Sequence, residues 1–182
     1  MRVIAGSYKG RQLKTPTWAG LRPTSDKLRE TMFNILAPRI AGARVLDAYA
    51  GTGAIGIEAL SRGAASVTFV DRDRRALALV EANLARCGIA NGYAIIRGSI
   101  ERALETLDRS QPFDIMILDP PYDAATHLDA VLAAAGGALA ADGVLVLEHR
   151  RRTRVPQAAG RLALARAVAS GDSALAIYAC RP

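Results

Sequence analysis

The chain has 182 residues, 51% of them hydrophobic and 23% charged, with a formal net charge of +7 at pH 7. This suits one soluble globular domain rather than a disordered chain, and the charge favours a polyanionic partner. No apolar run reaches the roughly 20 residues that span a bilayer, the start lacks a signal peptide's apolar stretch, and Cys87 and Cys180 have no metal-site spacing. A cytoplasmic protein with reduced thiols and no membrane contact is expected.

Residues 1–24 are expected to form a basic N-terminal arm or hairpin ahead of a main domain over 25–182. Residues 1–22 carry Arg2, Lys9, Arg11, Lys14 and Arg22 and no Asp or Glu. Segments 3–5 and 11–13 read as short strands around a turn at 6–10. Arg2, Lys9, Arg11 and Lys14 are candidates for contact with a phosphate backbone, with Trp18 as the aromatic of the arm. A solvated terminus is the alternative.

A cap helix is expected over 25–37. Thr24 or Ser25 caps it, Asp26 and Glu30 place negative charge in its first turn, and Pro38 stops it. Leu28, Met32, Ile35 and Leu36 recur at helical spacing and mark its buried face.

Strand and helix then alternate. Strands are predicted at 44–48, 66–70, 94–97, 113–118 and 143–148. Helices are predicted from the loop 49–56 to about residue 62, and over 74–87, 100–107 and 126–135. Segments 161–168 and 173–179, separated by 169–172, read as an antiparallel edge hairpin. The fold class is therefore α/β: a doubly wound, mostly parallel seven-stranded sheet, Rossmann-like, with a C-terminal antiparallel hairpin. The basic run 149–154 reads equally as a solvated loop or a nucleic-acid contact.

The main chemical signal is Asp119-Pro120-Pro121-Tyr122, which follows the apolar strand 113–118. Pro120 biases Asp119 toward extended backbone at the strand's end. Neither proline carries an N–H. The tetrapeptide offers a carboxylate, a carbonyl and an aromatic ring where open α/β sheets bind ligands. Two acceptors can hold the amino group of a nucleobase while Tyr122 stacks on its face. A strand followed by a Pro-Pro turn, with Asp119 merely exposed, is the bland alternative.

The second signal is Gly51-Thr52-Gly53-Ala54-Ile55-Gly56, a literal G-x-G-x-x-G, with Asp71 following 20 residues after Gly51. Glycines let backbone approach a ligand at a helix N-terminus, and Asp71 can bind both hydroxyls of a ribose. The pattern fits NAD as well as S-adenosylmethionine. Asp47 beside the loop would repel a pyrophosphate but suits a cation. No Tyr-x-x-x-Lys or conspicuous His/Asp pair offers hydride chemistry. S-adenosylmethionine is the expected cofactor, and no metal is required.

The motifs Asp47-Ala48-Tyr49-Ala50-Gly51-Thr52-Gly53, Asp71 and Asp119-Pro120-Pro121-Tyr122 resemble those of class I methyltransferases acting on exocyclic amino groups. Two further stretches narrow the resemblance: Arg22-Pro23-Thr24 with Arg29-Glu30-Thr31-Met32-Phe33-Asn34, and the start Arg2-Val3-Ile4-Ala5-Gly6 with Lys9-Gly10-Arg11. With them, nearly the whole chain resembles the bacterial methyltransferase family that modifies N2 of guanine 966 in 16S rRNA.

The resemblance implies roles residue by residue. Arg22 and Thr24 would lie near the methionine carboxylate. Asp47, Ala50, Gly51 and Gly53 would line the methionine and ribose side, with Tyr49 in place of the loop's usual first glycine. Asp71 would hold the ribose. Arg72, Ser99 and Ile100 would flank the adenine, although many class I enzymes carry an acid at the Ser99 position. Asp119, Pro120, Pro121 and Tyr122 would form the catalytic set. The implied partner is 16S rRNA or the small ribosomal subunit, and a monomer is expected. The alternatives are an adenine-N6 methyltransferase on DNA or RNA and, further off, an NAD-dependent oxidoreductase or nucleotide-binding module.

Overall fold

A computed structural model describes residues 1–18, 25–120 and 128–181. In chain order the elements are α1 (Asp26–Ile40), β1 (Arg44–Ala48), α2 (Ala54–Ser61), β2 (Ser66–Asp71), α3 (Arg74–Arg86), β3 (Tyr93–Arg97), α4 (Ile100–Thr106), β4 (Phe113–Leu118), α5 (Leu128–Gly136), β5 (Leu139–Arg150), β6 (Ala158–Ala159), β7 (Leu162–Ser170) and β8 (Ser173–Cys180). They build one sheet in the order β3-β2-β1-β4-β5-β8-β7-β6. Strands β1 to β5 are mutually parallel, and β8, β7 and β6 add antiparallel. Strand order runs outward in both directions from the β1/β4 junction. That reversal leaves a crevice at the carboxyl ends of those strands.

Each central strand is apolar on both faces because both are covered. Val45, Ile115, Ile117 and Val146 face a core layer shared with Leu28 and Phe33 of α1, Ile57 of α2 and Val80 of α3. Leu46, Met116, Leu118 and Leu147 face the opposite layer with Leu104 of α4 and Leu132 of α5. The alternation assigns every residue at the carboxyl edge to one face or the other.

The doubly wound, mostly parallel class is as expected, with three local differences. The sheet has eight strands, not seven, because Ala158–Ala159 adds a two-residue edge beside β7. So short a strand carries no periodicity to read. Helix α1 runs through Pro38 to Ile40. Pro38 removes one hydrogen bond only, while buried Ile40 and the bond from Arg39 Nη1 to the Asp142 carbonyl at 2.7 Å hold the last turn in place. Strand β5 extends past the predicted 143–148 at both ends, so His149 and Arg150 lie in the sheet rather than in a loop.

The two segments of the basic arm pair antiparallel over a short span: Arg2 bridges Gln12, Val3 donates to the Arg11 carbonyl at 3.0 Å and Leu13 to the Met1 carbonyl at 2.9 Å. Val3 and Leu13 are buried in the main core, at 1% and 5% exposure. Ser25 caps α1 by accepting from the Leu28 N–H. The expected start of the fourth helix at 126 and 127 lies outside the described residues.

Candidate active site at the carboxyl edge of the sheet

The loop between β1 and α2 is built for close approach. Gly51 and Gly53 have φ of 55° and 74°, and Gly53 forms the N-cap of α2. A Cβ at Gly53 would meet the Val80 methyls at 3.2 Å. At Gly56 it would meet the Phe69 ring at 2.2 Å, so this glycine seats α2 on β2. Tyr49 also has positive φ, 63°, the only such non-glycine among the described residues. The loop's tight entry requires that conformation, and an L side chain adopts it at a cost. Burial, with Glu101 nearby, pushes the Tyr49 hydroxyl up to about 12. Ala50 donates its N–H to the Val70 carbonyl at 2.9 Å.

Asp71 fixes this loop from the neighbouring strand. Its Oδ2 accepts from Gly51 N–H at 2.9 Å, and its Oδ1 accepts from Asp73 N–H at 2.9 Å. Asp47 is 1% exposed and accepts the Gly56 N–H at 2.8 Å. Burial holds its carboxyl well above the usual carboxylate range; the Gly56 bond opposes the rise, and Asp119 and Asp71 add to it. Asp47 thus senses two further carboxylates at the ends of the adjacent strands. Such a field suits a cation.

Arg72 follows Asp71 and pairs with Glu101 at 3.3 Å on the surface. Ser99 caps α4 by accepting from the Arg102 N–H, and Ile100 is buried at 2%. Arg72, Arg97, Gly98, Ser99 and Arg102 line an open groove there. Asp119 and Pro120, both half-buried, directly follow β4. Arg22, Thr24, Pro121 and Tyr122 lie outside the described residues.

Arg2, Lys9, Arg11 and Lys14 are all exposed, although the arm that carries them is docked. Glu58, fully buried on α2, accepts the N–H groups of Ile4 at 2.7 Å and Ala5 at 3.0 Å and also pairs with Arg62. Asn83 of α3 accepts from Lys14 N–H at 2.7 Å and donates to the carbonyls of Lys14 and Thr52. Arg29, also buried, donates to the carbonyls of Arg2 and Ala54. Arg75 lies over the Trp18 ring at 5.0 Å. Glu58, Asn83 and Arg29 were not legible as positioning residues. Each reads as an ordinary polar helix position, and only tertiary packing reveals backbone partners more than 20 residues away.

Comparison with known proteins agrees with this architecture. Residues 1–179 match the family model described as Conserved hypothetical protein 95. Ribosomal RNA small subunit methyltransferase D of Escherichia coli (strain K12) is 34% identical over 179 residues, 98% of this chain and 89% of that protein. The chain belongs to this rRNA methyltransferase family. YlbH of Bacillus subtilis (strain 168), provisionally named an rRNA methyltransferase, is 41% identical over 98% of both chains. The solved structure of E. coli yhhF, provisionally named a methyltransferase, superposes with a TM-score of 0.85 at 33% identity, covering 100% of this chain and 98% of that one. The class I methyltransferase fold is also that of SMU.776 complexed with SAH, with a TM-score of 0.69 at 17% identity. No helix among the described residues is long and apolar enough to cross a membrane.

Proposed function

We propose that this protein transfers a methyl group from S-adenosylmethionine to the exocyclic N2 of a guanine in small-subunit rRNA. The observation that carries the reading is the row of acids behind the glycine loop, Asp71, Asp47 and Asp119, on three adjacent strand ends. A pyrophosphate would meet repulsion from that row, whereas a sulfonium and an ammonium meet attraction. Asp71 retains oxygen lone pairs beyond its two backbone bonds, enough for ribose hydroxyls. Gly51 and Gly53 leave room for the methionine side. Arg22 and Thr24 would hold the carboxylate, and Arg72, Ser99 and Ile100 would flank the adenine.

When bound, S-adenosylmethionine supplies a methyl group activated on a positive sulfur. The residues of this chain then have a positioning task. Guanine N2 is a poor nucleophile because its lone pair is delocalised into the ring. Asp119 and the Pro120 carbonyl would accept hydrogen bonds from its two N–H groups, favour a pyramidal nitrogen and free the lone pair to face the methyl; as the N–C bond forms and the S–C bond breaks, the nitrogen would release one proton, through Asp119 to solvent. Tyr122 would stack on the extruded base. Arg2, Lys9, Arg11 and Lys14 would contact phosphates.

The coarse reading is tested by incubating the protein with methyl-labelled S-adenosylmethionine and either naked 16S rRNA or small subunits that lack the modification. Label in the RNA supports it, and no label in either substrate overturns it. A thermal-shift comparison of S-adenosylhomocysteine with NAD tests the cofactor separately: stabilisation by NAD alone would favour the oxidoreductase.

A further inference from the structure

Glu148 lies at the carboxyl edge and has no part in the mechanism above. In the parallel pairing of β4 with β5, Leu118 stands opposite Leu147. The next residues are Asp119, just past the end of β4, and Glu148, still within β5. Continued register and alternation would set them side by side on one face. Ile117 and Val146 belong to the layer under α1 to α3, whereas Leu118 and Leu147 belong to the other, so the next residue on each strand returns to the first. Asp47 and Asp71 follow Val45 and Phe69 on that same face. The acids Asp71, Asp47, Asp119 and Glu148 therefore stand in strand order β2, β1, β4, β5 along one edge.

Resting on the guanine-N2 reading, that order has a chemical meaning. Ribose at Asp71, the methionine at Asp47 and the target amino group at Asp119 run in one direction. The next position belongs to the atom of the base beside the target nitrogen. Glu148 is 6% exposed and accepts from Ser173 Oγ at 3.3 Å. Two acids in succession along the edge suit a ligand edge that presents two adjacent donors. Guanine presents N1–H directly beside its N2 amino group. Adenine presents a bare N1 acceptor beside its N6 amino group and would turn a lone pair toward the carboxylate.

We infer that Glu148 is the specificity-determining residue of this site: its carboxylate accepts the N1–H of the target guanine while Asp119 holds N2. The proposal makes the enzyme a reader of two adjacent donors, and it disfavours adenine by repulsion as well as by lost contact.

2-Aminopurine tests this, since it keeps the N2 amino group and has no N1–H. Single-turnover transfer is measured with RNA carrying either guanine or 2-aminopurine at the target position, using wild type and Glu148→Gln. Binding of S-adenosylhomocysteine checks the fold of the variant. Wild type is expected to prefer guanine by roughly ten- to hundred-fold, the effect of one hydrogen bond to a charged group. The amide that Glu148→Gln introduces can donate to a bare N1, so the variant's preference should fall at least tenfold. An unchanged preference, with N2-methylguanine still formed, overturns the role of Glu148 alone. Failure of wild type to methylate guanine N2 overturns the reading on which it rests. If the variant does not bind S-adenosylhomocysteine, wild type is tested on RNA with N1-methylguanine at the target: strong loss of transfer supports the proposal, and undiminished transfer overturns it.

Discussion

Asp71 and Gly51 are joined across the mouth of the glycine loop, Oδ2 of the acid accepting the glycine N–H at 2.9 Å. The acid thus shapes the loop, and in the proposed reading its remaining lone pairs would take the ribose hydroxyls. Asp71→Ala should weaken S-adenosylhomocysteine binding by about 1.5–3 kcal/mol, the range for hydrogen bonds to a charged group. Calorimetry that finds unchanged affinity would remove Asp71 from the cofactor site.

Asp119 should matter for rate and little for cofactor binding. Asp119→Ala is expected to slow single-turnover methyl transfer by roughly 10²–10³-fold, as for loss of one preorganised polar contact. A rate within a few-fold of wild type would sink its role as acceptor for the amino group.

Glu58 ties the arm to the domain. Its buried carboxylate takes two arm N–H groups and Arg62. Glu58→Ala should lower the unfolding free energy by about 3–5 kcal/mol, the cost of breaking a buried pair. Urea denaturation reads this directly, and a loss under about 1 kcal/mol would mean that the arm is only loosely attached. The same contacts make deletion of residues 1–17 a destabilising change, because Val3 and Leu13 leave the core with them.

The arm's proposed contact with RNA is therefore tested by charge rather than by truncation. Each phosphate neutralised on single-stranded RNA adds about −0.7 to the slope of log affinity against log salt, so four contacts give about −2.8. Replacing Arg2, Lys9, Arg11 and Lys14 together by Gln should remove that share while leaving S-adenosylhomocysteine binding intact. Equal slopes for the two proteins would exclude the arm, and Arg150 to Arg154 would be examined next.

Asp47 gives a dependence on pH. A carboxyl whose pKa is higher folded than unfolded binds more protons in the folded state. Stability is therefore lost as pH rises from the ordinary value of 3.8 through the raised one. Asp47→Asn keeps an oxygen for the Gly56 N–H and removes the buried charge. Without cofactor it should melt higher than wild type at pH 7, with the gain vanishing as pH falls toward 3.8. Its affinity for S-adenosylmethionine should fall. A variant that melts lower at pH 7 and gains at low pH would reverse the sign and refute the account of Asp47.

The central strands, the glycine loop and Asp71 were legible in the sequence because each combines local pattern with chain order. Apolar runs end in acids, and glycines open a helix. Pro38 misled because a proline's local cost was outweighed by packing of Ile40. Ala158–Ala159 is too short to carry a pattern. The docking of the arm was hidden because Glu58, Asn83 and Arg29 act through backbone groups distant in sequence. Glu148 was hidden for a related reason. Its neighbour Asp119 is set by strand register, which no local pattern specifies.

The central claim is the identity of the methylated atom. Small-subunit RNA methylated by the protein with labelled S-adenosylmethionine is digested to nucleosides, which are separated beside standards. The account predicts N2-methylguanosine as the labelled product. Label in N6-methyladenosine, or in any nucleoside other than N2-methylguanosine, would contradict it.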